Sequence, residues 1–127
     1  SSKSKNNTKT NKSKLDLKLK QLNCFDDSIG LEKIFIRYQI TNNYVKKIKL
    51  VDATLIAKDL LGDEIFKGKI SRDVYLAPGS VDNIEGSYDD LMMNKCGRIK
   101  SVEFPDIKYV LDVSKIAFQD NTVLEFN

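Results

Sequence analysis

The chain has no histidine and no tryptophan, and only two cysteines and two prolines in 127 residues. Without histidine there is no usual general acid/base, no usual partner for a serine or cysteine nucleophile, and none of the commonest neutral metal ligand. No Cys-x-x-Cys occurs, so a dithiol redox motif is excluded. A Gly-rich phosphate loop and a Gly-x-Ser-x-Gly elbow are also missing, which leaves nucleotide binding and serine-hydrolase chemistry without a sequence basis. No run approaches the ~18 apolar residues of a membrane span. The first fourteen residues hold no apolar run of the kind a secretory signal needs. The chain begins Ser-Ser rather than Met, and we expect a processed or trimmed form with any export signal or anchor upstream.

What is present is enough for one domain with a core: the length suits a single domain and 41% of the residues are hydrophobic. The net charge of +3 conceals an asymmetry. Residues 1–20 carry seven lysines and one aspartate, whereas the remainder carries 14 basic and 17 acidic groups. A nucleic-acid-binding domain would bear its basic surface on the fold; here it sits in a lead segment. Residues 1–14, rich in Lys, Ser and Asn, contain nothing to bury and read as a flexible linker. Such a coil would span about 20 Å root-mean-square. The domain is expected over residues 15–127.

Within it, apolar residues recur at strand spacing between short turn signals. Leu15, Leu17 and Leu19 alternate with charged residues, as in a half-buried strand. Ile34, Ile36, Tyr38 and Ile40 line a second. Ile48, Leu50 and Leu55 are core candidates of a third, where the alternation slips near Leu50-Val51, as at a bulge. Gly62 supplies the positive φ of a hairpin turn, and Ala77-Pro78-Gly79 forms another tight turn. Further strands are expected over residues 65–70, 81–88, 99–104, 107–118 and 123–126, with a loop over 23–30 and a short helical turn within 89–97. No amphipathic helix separates the strands, which argues against a parallel βαβ sheet. The expectation is an all-β fold, an antiparallel β-sandwich of seven to eight strands.

The turn motifs resemble those of small immunoglobulin-like modules of bacterial cell-envelope proteins, including the FxLYD group. The matching residues are Ile40-Thr41-Asn42-Asn43, then Asp59 to Ile65 with Gly62, then Leu76-Ala77-Pro78-Gly79, then Tyr88. Residues 113–123 are similar to the closing hairpin of related modules, with Asn121 where Gly is usual; Asn tolerates left-handed φ. The family has no common catalytic residues, so the resemblance implies none here. It implies an immunoglobulin-like sandwich held outside the cell by an upstream lipidated cysteine or membrane helix. Ala57-Lys58 departs from the family's usual aromatic pair.

Several residues invite a chemical reading. Cys24 and Cys96, both in expected loops, either pair in an oxidising compartment or remain two free thiols. Met92, Met93 and Cys96 offer soft sulfur ligands, yet they read more simply as an apolar loop plug. Asp26-Asp27 and Asp89-Asp90 lack the spacing of a calcium loop and read as solvated turn residues. Phe35 and Tyr44 fall out of phase with the core face and are candidates for an exposed binding patch. The lysine-rich lead could touch an anionic surface or, without specificity, nucleic acid. Taken together, these features suggest a non-enzymatic, extracytoplasmic binding or structural module tethered to a bacterial envelope. It would need no cofactor and no metal, and its partner would be a protein or envelope component. The alternative is a cytosolic or phage-encoded, inhibitor-like interaction protein on the same sandwich.

Overall fold

The computed structural model describes residues 13–90 and 95–126. Eight strands form two antiparallel sheets: β1 (Leu15–Asp26), β2 (Glu32–Asn42), β3 (Ile48–Lys58), β4 (Glu64–Lys69), β5 (Asp73–Leu76), β6 (Val81–Asp89), β7 (Lys108–Phe118) and β8 (Val123–Glu125). One sheet has the order β1-β2-β6 and the other β4-β3-β7-β8, with β5 continuing the β4 edge of β3. Strands β1, β2 and β6 form one layer, and β3, β4, β5, β7 and β8 the other, of an antiparallel β-sandwich. A six-residue helix, α1 (Lys95–Lys100), and a 3-10 turn at Phe104–Asp106 lie between β6 and β7.

The alternation read from the sequence builds the core directly. Leu15, Leu17 and Leu19 of β1 and Ile34, Ile36, Tyr38 and Ile40 of β2 face Val51, Leu55, Val113 and Ile116 of the other sheet. Removing one such aliphatic side chain from water stabilises the fold by about 1.5–3 kcal/mol. Bulges decide the exceptions. The β3 register shifts between Ile48 and Leu50 against both neighbours. The shift turns Val51, Ala53, Leu55 and Ala57 inward and leaves Leu50, expected in the core, 39% exposed on the outer face. A second shift, between Leu19 and Gln21, carries β1 on to Asp26 with Leu22 inward. Residues 23–26 are therefore strand, not loop.

Two other expectations change. Residues 99–104, expected as a strand, hold the end of α1 and the start of the 3-10 turn. Strand β5 is not among the expected strands: it has only four residues, Val74 and Leu76 facing inward, and Tyr75 adopts φ +40°.

On the side where β6 ends its sheet, two tyrosine hydroxyls close the gap between layers. Tyr88 donates to the Lys69 carbonyl at 2.5 Å, and Tyr38 accepts from the Ser71 N–H at 3.2 Å. Burial raises the pKa of both phenols. Gly68 fits beneath them because a Cβ there would stand 2.8 Å from Phe66 Cζ and 3.1 Å from the Tyr88 ring.

Candidate functional site

The topology sorts the connections to two ends of the sandwich. The β1–β2 turn, the β3–β4 turn and the segment carrying α1 lie at one end, because β6 finishes beside the start of β2 with Asp89 opposite Lys33. The β2–β3, β5–β6 and β7–β8 turns lie at the other. There Leu15 pairs with Asn42, so the chain enters the fold at that second end.

At the first end, the α1 pole, two turns repeat one design. Residues 27–31 read Asp-Ser-Ile-Gly-Leu and residues 59–63 read Asp-Leu-Leu-Gly-Asp. In each, the first N–H donates to the fifth carbonyl, and the fourth N–H donates back to the first carbonyl. The fourth residue is glycine, with φ +84° at Gly30 and +88° at Gly62. This is the three-residue hairpin loop that ends in a left-handed residue. The aspartate supplies the lock. Asp27 Oδ1 accepts from Ile29 (3.0 Å) and Leu31 (2.9 Å), and Asp59 Oδ1 accepts from Leu61 (2.9 Å) and Asp63 (3.0 Å). Each lock holds an aliphatic tip in solvent, Ile29 at 77% and Leu61 at 89% exposure. Leu31 and Leu60 are exposed beside them.

Helix α1 joins the turns. Cys96 is bonded to Cys24 of β1, so neither cysteine lies in a loop. Asp90 accepts the N–H groups of Lys95 and Cys96, each at 2.8 Å. Lys100 pairs with Glu32 at the start of β2, and Glu32 holds the lysine pKa above its usual value. Arg98 reaches Asp59 Oδ2 and so grips the second turn. Near burial of Asp59 opposes its ionisation, but the N–H groups of Asp63 and Leu61 and the Arg98 charge outweigh it, and the pKa is lowered. A groove of about 440 Å³ runs between residues 59–61 and the segment Ser101 to Asp106. Across residues 26–33, 58–64, 89–90 and 95–108 there are ten carboxylates and six cations, so the rim of this pole is acidic.

Of the residues singled out in the sequence, Cys24 and Cys96 are joined here. Phe35 and Tyr44 are not on one surface. Phe35 sits half-buried on the outer face of the β1-β2-β6 sheet, opposite Asn23 and Ser87, with the Arg37 guanidinium 5.8 Å from its ring centre. Its aromatic neighbour on that face is Phe25, diagonal to it across β1. Phe25 drew no notice in the sequence because its strand was read as ending sooner. Seven residues of β2, roughly 23 Å of strand, separate Phe35 from Asn42. Tyr44 follows Asn42 and packs edge-on against Phe118, with centroids 5.2 Å apart. Its hydroxyl accepts the Lys14 N–H.

Three of the four acids of these pairs are engaged in local structure, Asp27 and Asp90 as above and Asp89 with Lys33 at 2.5 Å, while Asp26 is exposed at the end of β1. Glu32, Asp90 and Cys96 come within metal-binding distance of one another, but Cys96 is in the disulfide, Glu32 meets Lys100 and Asp90 meets two N–H groups. Met92, Met93 and residues 1–12 lie outside the described residues. The exposed leucines of the β3–β4 turn were read only as turn residues. The signal available was two adjacent leucines inside a five-residue hairpin, where no core position exists.

Among the described residues no helix is long and apolar enough to cross a membrane. Comparison with protein-family models, curated proteins and solved structures gives no match to this chain.

Proposed function

We propose that the protein is a non-enzymatic binding module, tethered through its N-terminal side to the outside of a bacterial cell, with the α1 pole as its recognition end. One observation carries the reading. Aliphatic tips, each held out by an aspartate lock, lie at the end opposite the point where the chain enters the fold. Exposed leucines fixed by hydrogen bonds rather than buried are what a partner's apolar surface needs, and prior fixation lowers the entropy lost on binding. The acidic rim favours a partner with a basic border. The Cys24–Cys96 bridge and the resemblance to envelope modules support the extracytoplasmic placement, because disulfides persist in oxidising compartments.

The test is made on cells expressing the gene with its own 5′ codons. Protease added to intact cells is expected to digest the protein, and native material is expected to have no titratable thiol. Resistance to the protease together with two free thiols would refute the placement and favour the cytosolic, inhibitor-like alternative. Loss of partner binding in Leu60→Asp/Leu61→Asp, with the fold retained, is the expected signature of the recognition end.

A further inference from the structure

The opposite pole has its own chemistry, and we infer that it docks on an anionic lipid surface. The β2–β3 turn, residues 43–47, reads Asn-Tyr-Val-Lys-Lys. Its tip, Val45, is 91% exposed, the most open of the large hydrophobic side chains in the described residues. Lys46 and Lys47 follow it, and Lys14 and Lys49 stand at the same end. Across residues 13–16, 41–49, 75–82 and 117–124 there are four lysines and three carboxylates, Asp16, Asp82 and Asp120. Asp120 pairs with Lys46 at 3.1 Å, and the tip itself, residues 43–47, carries two lysines and no acid.

The turn is built to hold this arrangement. Asn42 is fully buried. Its Nδ2 donates to the Lys46 and Leu76 carbonyls, both at 2.9 Å, and its Oδ1 accepts from Tyr44 N–H at 2.8 Å. Tyr44 turns inward onto Phe118, so Val45 is left pointing into solvent at the apex. Lysines around an exposed apolar apex match the headgroup boundary of a bilayer, where phosphates meet the cations and the acyl region takes the valine. A soluble polyanion would satisfy the lysines and leave Val45 without a role, and this decides between the two. Docked in this way, the module holds the α1 pole away from the membrane. The inference deepens the tether reading but stands on separate residues.

The experiment is sedimentation of the full chain with vesicles of phosphatidylglycerol mixed with phosphatidylcholine, and with phosphatidylcholine alone. The mixed vesicles are expected to bind it and the neutral ones not. Each neutralised lysine should weaken partitioning about fivefold, so Lys46→Gln/Lys47→Gln should lose about 25-fold. Val45→Asp should lose about tenfold or more. Lys58→Gln/Lys108→Gln, a cross-strand pair at the other pole, should leave binding unchanged. Raising salt from 0.1 to 1 M shortens the screening length from about 10 to 3 Å and should release the protein. Unchanged partitioning in Lys46→Gln/Lys47→Gln would overturn the inference, since the lead segment alone would then carry it. Equal loss in the control pair would overturn it by reducing it to net charge. Unaltered binding by Val45→Asp, or equal affinity for duplex DNA, would replace the bilayer with a polyanion. Circular dichroism of each variant separates unfolding from loss of contact. None of these outcomes bears on protease accessibility at the cell surface, so the two readings fail independently.

Discussion

The two poles of the sandwich use similar turns for opposite surfaces. At the α1 pole, Asp27 and Asp59 each bond two N–H groups of their own turn and present Ile29 and Leu61 within an acidic rim. At the entry pole, buried Asn42 bonds three backbone groups and presents Val45 among lysines. The β7–β8 turn repeats the backbone pattern of the aspartate turns, Phe118 N–H to Thr122 and Asn121 N–H to Phe118, with Asn121 at φ +70° in the glycine position. The lesson is that turn geometry and surface chemistry are set by different residues. The lock and the left-handed residue fix the turn, and the residues between them are free to choose a partner.

Both ends are also anchored, but by different means, and the largest prediction contrasts them. The Cys24–Cys96 bridge spans 72 residues of sequence. In the chain-entropy account a loop of that length contributes roughly 4 kcal/mol. Cys24→Ser/Cys96→Ser should therefore lower the unfolding free energy by about 2–4 kcal/mol in a denaturant titration, and amide exchange should quicken in α1 before it does in residues 43–47. At the entry pole the equivalent break is Asn42→Ala. It leaves two carbonyls and one N–H without their buried partner, at a cost of about 2–3 kcal/mol, and should quicken exchange at Tyr44 while sparing α1. If either variant loosens both ends alike, the poles are not independent units.

A smaller effect belongs to Asn121. Replacing it by Ala keeps the turn but leaves a Cβ in left-handed φ without the local hydrogen-bonding of Asn, and should cost about 1 kcal/mol. Asn121→Gly should be close to neutral in the same assay.

The smallest effect is that of acid, and it separates the poles by position. Asp120 is held at about 2 by the Thr122 hydroxyl and N–H and by Lys46. Asp59 is also lowered, as described above. A carboxyl whose folded pKa lies below its unfolded value near 4 adds stability above that value and loses it as pH falls through the folded one. The denaturation midpoint should thus fall between about pH 4 and pH 2. Asp120→Asn should remove the part of that slope that comes from the entry pole and leave the part from Asp59 and from Asp52, whose pKa the Lys69 hydrogen bond lowers. An unchanged slope in that variant would place the sensitivity elsewhere.

How much of this is written in the residues varies with range. Strands β2, β3 and β7 and the turns at Gly62, Gly79 and Asn121 follow from alternation and left-handed positions, both local properties. The bulge at Leu19/Gln21 carries β1 past its expected end, so Phe25 falls in an expected loop, and the slip legible near Leu50-Val51 lies between Ile48 and Leu50, so Leu50 turns outward instead of into the core. Helix α1 has six residues and a glycine inside it, and no helical periodicity announces it. It forms because Asp90, the bridge to Cys24 and the Arg98–Asp59 pair hold it, and Cys24 and Asp59 are distant in sequence. The α1 pole was hidden for the same reason: three segments far apart in the chain meet only after the sheets pair.

The most direct test of the two-pole account is the set of amide signals of the protein on phosphatidylglycerol-containing vesicles that carry a spin label at the headgroup. The account predicts broadening at residues 43–49 and 119–122, with sharp signals at 27–31 and 59–63. Uniform broadening, or broadening confined to the leucine-bearing turns, would contradict it.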